Sequence, residues 1–492
     1  MARSSAVPWR KKKRLTGEAA VAHYTMVVER PRAWISALVV LLCAGIGLHA
    51  AGDRRLVDAA RARDNARVRA LLAERMSPND RQADGATALH WAAHWDDGDI
   101  AELLITAGAD VNAVNDLGVT PLQLACTNGS SAMTRRLLAR GARPDLSLAS
   151  NEVTPLMTCA RSGNSEAVRQ LLAHGANANA AETFKGQTAL MWAVAGNHTD
   201  VARALVEGGA RIDTKSAGGF TPLLFAAQQG NLESTRLLLT AGASVDGRAP
   251  DGATALLVAV ESGHAELASF LLDRGANVND TGAGRTPLHA AVQAARPDIA
   301  TMLLARGADP NAKLTRRLPR VAGELTGGPV SLLGATPFWL AAKFADARMM
   351  RLLEQHGADP LLSSNDRTTP LMVAAGIGWV DGQDRYGNLM FASDLSAHRQ
   401  ADLDAVALAL SYGAPVNAVN DHGQTAMHGA AYMGGDEVVR LLADRGASLA
   451  VVDKYGQTPL VIADGVYVGG AFVARKTTAA QLRALGAERT HP

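Results

Sequence analysis

The chain has few aromatic residues, three cysteines and almost no net charge. The low charge and the few cysteines each argue against a class of function. Phe, Trp and Tyr together make up 4% of its 492 residues, and the formal net charge is +2. So small a charge gives no general attraction to nucleic acid or to acidic membranes. The cysteines never stand with histidine at zinc-ligand spacings. We therefore expect no nucleic acid partner and no metal site.

Motifs for catalysis or cofactor binding are also scarce. The glycine clusters at 282–284 and 327–328 lack the lysine of a phosphate-binding loop and follow no strand pattern. Asp381 and Asp384 lack the spacing of a calcium-binding loop. The sequence predicts a non-enzymatic protein without a cofactor.

What the chain has in abundance is one repeated pattern, Thr-[Pro/Ala]-Leu-x-x-Ala or a close variant. Seven of the ten intervals between successive threonines are 33 or 34 residues, one is 32, and two are stretched to 50 and 56. Gly-Ala follows nine of the threonines 21 residues later. The eleven threonines are Thr87, Thr120, Thr154, Thr188, Thr221, Thr254, Thr286, Thr336, Thr369, Thr425 and Thr458.

Each unit is predicted to form two short helices. In the unit that begins at Thr120, the threonine suits a helix N-cap and Pro121 suits the first helical position. Leu122 and Ala125 fall on one helical face, and Gly141 follows the second helix, where a positive φ is expected. No single unit can bury its apolar stripe alone, so the stack forms the core.

A period near 33 with Thr-Pro-Leu-His-x-Ala resembles the ankyrin-repeat family over about nine-tenths of the chain. The resemblance implies an all-α solenoid of about 12 helix-turn-helix units with β-hairpin fingers, over residues 53–487. Residues 53–80 are predicted to form an N-terminal capping repeat, with Arg54 and Arg75 in the places of Thr and Gly. Residues 458–487 are predicted to form a C-terminal cap, followed by a tail at 488–492.

The start of the chain differs from the repeats. Residues 1–32 carry eight Lys or Arg against two acids, and the uncharged, apolar stretch 33–51 follows. With Met1 as the start, 33–51 is a signal-anchor transmembrane helix; with Met26, it is a cleaved signal peptide. Both interpretations export the repeats to the periplasm or cell envelope, and the anchor would also hold the chain on the membrane.

Cys126 and Cys159 occupy positions that alanine usually fills in adjacent repeats. They could form a disulfide in an oxidising compartment, or simply replace alanine. We expect the second, because adjacent helices should hold the two Cα atoms too far apart. His90, His289 and His428 stand three residues after a repeat threonine. The resemblance implies that they tie the first helix to the neighbouring turn.

Residues that contact a protein partner are implied by the resemblance, position by position. They lie on finger tips and towards the end of the first helix, in a concave groove. Trp95, Phe344 and Tyr432 are expected at the surface, whereas Trp91, Trp192 and Phe225 are expected to fill packing positions on the first helix. The candidate partner-binding residues are Trp91, His94, Trp95, Phe184, Lys185, Phe220, Gln228, Gln229, Lys343, Phe344, His422, Tyr432, Met433 and Tyr455.

Two insertions break the register. The first, at about 313–335, enlarges a finger with a basic run at 313–320, which is either a solvated loop or a docking site for acidic partners. The second, at about 377–400, contains Trp379, Tyr386 and Phe391 and is too apolar for a free linker.

The leading functional hypothesis is an exported protein-interaction scaffold that binds a protein in its concave groove. A second hypothesis is an accessory protein that regulates or protects a periplasmic or envelope enzyme. A third places a small-ligand or catalytic role in the 377–400 lobe.

Overall fold

Helices make up nearly all the regular structure of the computed structural model, which describes residues 53–148, 150–316, 331–378, 395–468 and 471–488. Within these residues the helices form twelve consecutive pairs. The pairs are α1 (Arg55–Arg61) and α2 (Asn65–Ala73), α3 (Ala88–His94) and α4 (Gly98–Thr106), α5 (Pro121–Thr127) and α6 (Ser131–Ala139), α7 (Pro155–Ser162) and α8 (Ser165–Ala173), α9 (Ala189–Ala195) and α10 (Thr199–Glu207), α11 (Pro222–Gln229) and α12 (Leu232–Thr240), α13 (Ala255–Glu261) and α14 (Ala265–Asp273), α15 (Pro287–Gln293) and α16 (Pro297–Ala305), α17 (Pro337–Lys343) and α18 (Ala347–Gln355), α19 (Pro370–Ala374) and α20 (Leu395–Ser411), α21 (Ala426–Met433) and α22 (Asp436–Asp444), and α23 (Pro459–Asp464) and α24 (Lys476–Ala484).

The chain divides into two compact units. The first comprises Met1–Ala189 with Lys215–Gly218, and the second Leu190–Thr214 with Gly219–Pro492. Within each unit, the first helix of a pair packs against the first helix of the next, and second helices pack likewise.

A threonine precedes the first helix in every pair except the first, where Arg54 stands in its place. The Thr120 hydroxyl accepts a hydrogen bond from the Gln123 amide at 3.0 Å, and the Thr336 hydroxyl accepts one from the Trp339 amide at 3.2 Å. These bonds satisfy amides that a helix terminus leaves without a partner. Pro121 occupies the first helical turn, where its missing N–H costs no intrahelical bond.

Histidine ties neighbouring repeats together, as predicted. His289 is fully buried; its Nδ1 lies 2.8 Å from the Thr286 hydroxyl and its Nε2 lies 3.2 Å from the carbonyl oxygen of Ala335 in the next finger. His90 and His428 make the same contacts in their own repeats. Burial lowers the pKa of His289 to about 4.

The fingers are tight turns rather than extended hairpins. Some close on a single antiparallel bridge, such as Arg81 with Thr87. Backbone hydrogen bonds link successive tips: in the first unit the Asp116 amide donates to the Asp84 carbonyl at 2.9 Å. The first insertion preserves this pattern, because the Thr315 amide donates to the Gly284 carbonyl of the preceding finger at 2.9 Å. Residues 317–330 of that insertion lie outside the described residues.

The turns after the second helices are also linked to one another, through side-chain hydrogen bonds. Gly141 has a φ of 85°, and Asn112 of the preceding repeat donates from Nδ2 to its carbonyl at 3.0 Å. Asn112 Oδ1 accepts from the Arg143 amide at 2.7 Å. In the first repeat Arg75 takes the place of this glycine and adopts a φ of 61°, a conformation that costs a non-glycine residue free energy.

The expectation that Cys126 and Cys159 are unpaired is wrong. Their sulfur atoms form a disulfide between α5 and α7, and both residues are fully buried. The small residues on the facing sides of first helices bring the two Cα atoms to 4.4 Å, within disulfide range.

The second insertion and the last repeat differ in part from expectation. Helix α20 begins at Leu395, so the last residues of the predicted 377–400 insertion are helical, while 379–394 lie outside the described residues. Before α24, strands β1 (Val466–Val468) and β2 (Ala471–Val473) pair antiparallel, and they account for the extra length of the last repeat.

No helix within the described part of the chain is long and apolar enough to cross a membrane. The expected hydrophobic helix at 33–51 and the basic segment 1–32 lie outside the described residues, so both stay predictions.

The buried imidazole of His289 predicts sensitivity to acid. Below about pH 6.5 the unfolded imidazole binds a proton, whereas the folded one does so only near pH 4. Stability is therefore lost as the pH falls through this window, by about 2 kcal/mol for this one group at pH 5. We expect His289→Leu, with the residue found at Leu224 and Leu257, to flatten the pH dependence measured by urea unfolding.

His356→Leu is the matched control, because this histidine is exposed after α18. An equal loss of stability between pH 7 and pH 5 in the wild type and in His289→Leu would contradict the account.

Candidate partner-binding surface

The finger tips and the C-terminal ends of the first helices form one type of surface, called here the finger–helix face. In the first unit its most prominent feature is an aromatic cluster on α3. The rings of Trp91 and Trp95 stack at 6.4 Å with an interplanar angle of 26°. His94 lies edge-on to both, at 5.7 Å from Trp91 and 4.6 Å from Trp95.

Polar contacts hold both indoles in place. Trp95 donates from Nε1 to the Arg61 carbonyl at 3.1 Å, and Trp91 donates to the Gln82 side chain at 3.0 Å. The Arg61 guanidinium also lies 5.3 Å from the Trp91 ring centre, in cation–π range. Trp95 nevertheless exposes 42% of its surface. The cluster therefore presents an aromatic surface whose two indole N–H groups are already hydrogen-bonded within the protein.

Partial burial lowers the pKa of His94. The imidazole is therefore neutral at pH 7, and the charge beside the two indoles comes from Arg61.

A finger of the first unit displays Phe184, which is 80% exposed. The buried carboxylate of Glu182 accepts hydrogen bonds from the amides of Phe184, Lys185 and Gln187 at 2.7–3.0 Å. These bonds fix the turn that directs the phenyl ring outward. The structure places Lys185 beside it, half-buried.

In the second unit, two successive finger tips bring together His422, Lys454 and Tyr455. The Lys454 amide donates to the His422 carbonyl at 2.9 Å, and the Lys454 ammonium group contacts His422 Nδ1. The same ammonium group lies 5.1 Å from the ring centre of Tyr455, which is 63% exposed. Tyr455 is thus a third accessible aromatic residue, and a cation lies next to it.

Other predicted residues are less accessible. Phe220 is half-buried and packs against the buried Phe225, with ring centres 5.7 Å apart. Gln229 is exposed and Gln228 half-buried. Phe225 is thus a core residue, whereas Trp91 and Trp192 are half-buried.

The prediction that Phe344 is a surface residue is wrong. Phe344 and Lys343 are each 5% exposed, because α17 is enclosed along its whole length from Pro337 to Lys343. Ile377, at the equivalent place in the next repeat, is also 5% exposed. Their positions in the repeat predicted exposure on the finger–helix face, but this part of that face is covered.

Tyr432 and Met433 are half-buried. Tyr432 is therefore less exposed than the surface position expected for it. The Met433 sulfur occupies the space that a Cβ on Gly376 would need. A side chain at 376 would therefore collide with it, and the glycine permits this close contact. Arg475 donates to the Tyr432 carbonyl at 2.9 Å.

Sequence reasoning missed Arg61, Gln82 and Glu182. Arg61 stands seven residues after Arg54, the register place that His94 has after Thr87. Extending the register into the capping repeat would have found it. No sequence signal singles out Glu182, because its role depends on the path of the finger backbone.

No group of side chains among the described residues could hold a metal ion.

Comparison with family models agrees with this architecture. The family model for ankyrin repeats (3 copies) matches in overlapping segments from residue 37 to 313 and again at 389–465, more than half of the chain. The tyrosine-protein kinase HTK16 of Hydra vulgaris is 34% identical over 73 residues, 15% of this chain. The chain spans 10% of the length of that kinase. The crystal structure of the human ASB11 ankyrin repeat domain is 31% identical and covers 45% of this chain and 98% of its own, with a TM-score of 0.41.

The exposures of Trp95 and Phe344 predict losses of stability of different size when each is replaced by alanine. Phe344→Ala should destabilise the protein by roughly 3 kcal/mol, since it leaves a cavity in an enclosed region. Trp95→Ala should cost less, because 42% of the Trp95 surface already lies in water and its removal leaves no enclosed cavity. Thermal unfolding of both variants checks this, and a larger loss for Trp95→Ala would show that the aromatic cluster is structural.

Proposed function

Because this chain belongs to the ankyrin-repeat family, we propose that it is a non-enzymatic scaffold that binds a protein partner on its finger–helix face. The repeats divide their residues between two tasks. The Thr, Leu, Ala and Gly positions cap and pack the helices, while the finger tips and first-helix ends vary without disturbing them. Ankyrin repeats imply protein–protein interaction, and these variable positions are where a partner of this chain would be recognised.

The aromatic cluster on α3 is the observation that best supports this proposal. Its indole N–H groups are already hydrogen-bonded, so a partner can cover Trp95 without leaving a donor unsatisfied. Its rings are held in place before binding, which lowers the entropic cost of association. Tryptophan and arginine are also enriched among the residues that dominate interface affinity.

We propose further that the repeats act outside the cytoplasm, in the periplasm or cell envelope. The basic segment 1–32 followed by the apolar 33–51 supports export, either as an anchor or as a cleaved signal. The buried disulfide between Cys126 and Cys159 supports it independently, because such bonds persist mainly in oxidising compartments.

The binding proposal is tested with a partner captured by crosslinking to the full-length chain in its native envelope and then identified. Trp95→Ala should weaken binding of that partner by about 2 kcal/mol, roughly 30-fold, the usual scale for an interface aromatic. Leu361→Ala is the control, since Leu361 is similarly exposed but follows a second helix. Equal affinities for wild type and Trp95→Ala, with normal folding, would contradict the proposed site.

Export is tested with a reporter fused after residue 492. The reporter should be active outside the cytoplasm, and deletion of residues 33–51 should keep it inside. A mature N-terminus near Ala51 would identify a cleaved signal, whereas an intact membrane-bound chain would identify an anchor. A soluble cytoplasmic chain with an intact N-terminus would refute both.

A further inference from the structure

The second helices carry a regular pattern of charge that one repeat reverses. In nine of the repeats that begin with threonine, the two helices are joined without an insertion, and the residue twelve positions after the threonine is the second residue of the second helix. An acid there complements the positive end of the helix dipole. Ala132 occupies the position in one repeat and Arg348 in another. The seven acids are Asp99, Glu166, Asp200, Glu233, Glu266, Asp298 and Glu437.

The reversal at Arg348 is unfavourable for helix α18 itself. A cation in the first turn opposes the helix dipole, and Arg351 adds a like charge three residues later on the same face. Both side chains are exposed. The fold alone gives no reason for this arrangement.

Several arginines on other second helices, or directly after them, pair with acids. In the first unit, Arg136 and Arg140 both contact Glu102, at 3.1 and 2.7 Å. In the second unit, Arg306 contacts Asp273 at 2.8 Å. Neither Arg348 nor Arg351 makes an ion pair with any of the described residues. These two guanidiniums are therefore available to an external anion.

Both arginines line a groove of about 390 Å³ between α16 and α18. Thr301 stands where several other repeats have arginine, and its short side chain leaves the groove open. The acid in the lining, Asp298, is held by Arg296 through two hydrogen bonds of 3.0 and 2.7 Å. The side chains of Pro297 and Leu352 add apolar surface.

We propose that this groove binds an acidic segment of a protein partner, through carboxylates on Arg348 and Arg351 and aliphatic side chains on Pro297 and Leu352. Guanidinium groups bind carboxylates through paired, charge-assisted hydrogen bonds. A small inorganic anion would satisfy the charges but leave the apolar surface uncovered, which favours a peptide. The groove shares no residue with the finger–helix face, so this proposal stands or falls independently of the proposed function.

The test measures binding of a labelled peptide of alternating Glu and Leu to the full-length chain by fluorescence anisotropy. Arg351→Gln should weaken binding about tenfold, the loss expected for a charge-assisted pair. Arg440→Gln is the matched control, because Arg440 has the same register place in α22, beside Glu437. It should leave the affinity unchanged. The peptide with Gln in place of Glu should bind weakly to every variant.

Arg348→Glu distinguishes a binding role from a structural one. It restores the acid of the other repeats, so it should raise the thermal midpoint while lowering peptide affinity. Unchanged affinity in Arg348→Glu and Arg351→Gln, or equal binding of the Gln peptide, would overturn the proposal. So would displacement of the peptide by inorganic phosphate at matched ionic strength. If Arg348→Glu weakened binding to phosphatidylserine vesicles as much as it weakened binding to the peptide, the groove would be assigned to lipid instead.

Discussion

A hydrogen bond between a threonine hydroxyl and the amide three residues later recurs in eight repeats of the described chain, and the rest of each of these repeats depends on it. For Thr120 and Thr336 this bond fixes the residue at which the first helix begins. The start sets the helical phase, so Leu122 and Ala125 face the core and residues seven and eight positions after the threonine lie at the helix end. Where histidine is available, the same threonine also binds its ring, which reaches the next finger. One local bond thus sets both the packing and the position of the side chains offered to a partner.

Most of the helix pairs could be predicted, because threonine, proline and glycine mark their ends by local conformational preference alone. The long second helix α20 and the hairpin before α24 could not, since they lie where the insertions interrupt that marking. The disulfide was missed for a different reason. Its formation depends on how closely α5 and α7 approach, and small residues bring them nearer than general helix spacing suggests.

The candidate site was predicted less well than the fold. Register correctly indicated that Trp95, Phe184 and Tyr455 are accessible, because repeats around them are regular. It failed for Phe344, where an enclosed helix between two insertions hides a position that is open elsewhere. Exposure is a property of neighbouring repeats together, whereas register is read one repeat at a time. The reversed charge at Arg348 is likewise recognised only by comparison with the acids at the same position of the other repeats.

The central claim is that a protein partner is held by the finger tips and first-helix ends while the capping and packing residues maintain the stack. Hydroxyl-radical footprinting of the native complex, read by mass spectrometry, tests this directly. The account predicts that the partner protects Trp95 and at least one of Phe184 and Tyr455, while Leu361, after a second helix, reacts as in the free protein. Unchanged reactivity of all three aromatic residues in the presence of bound partner would contradict it.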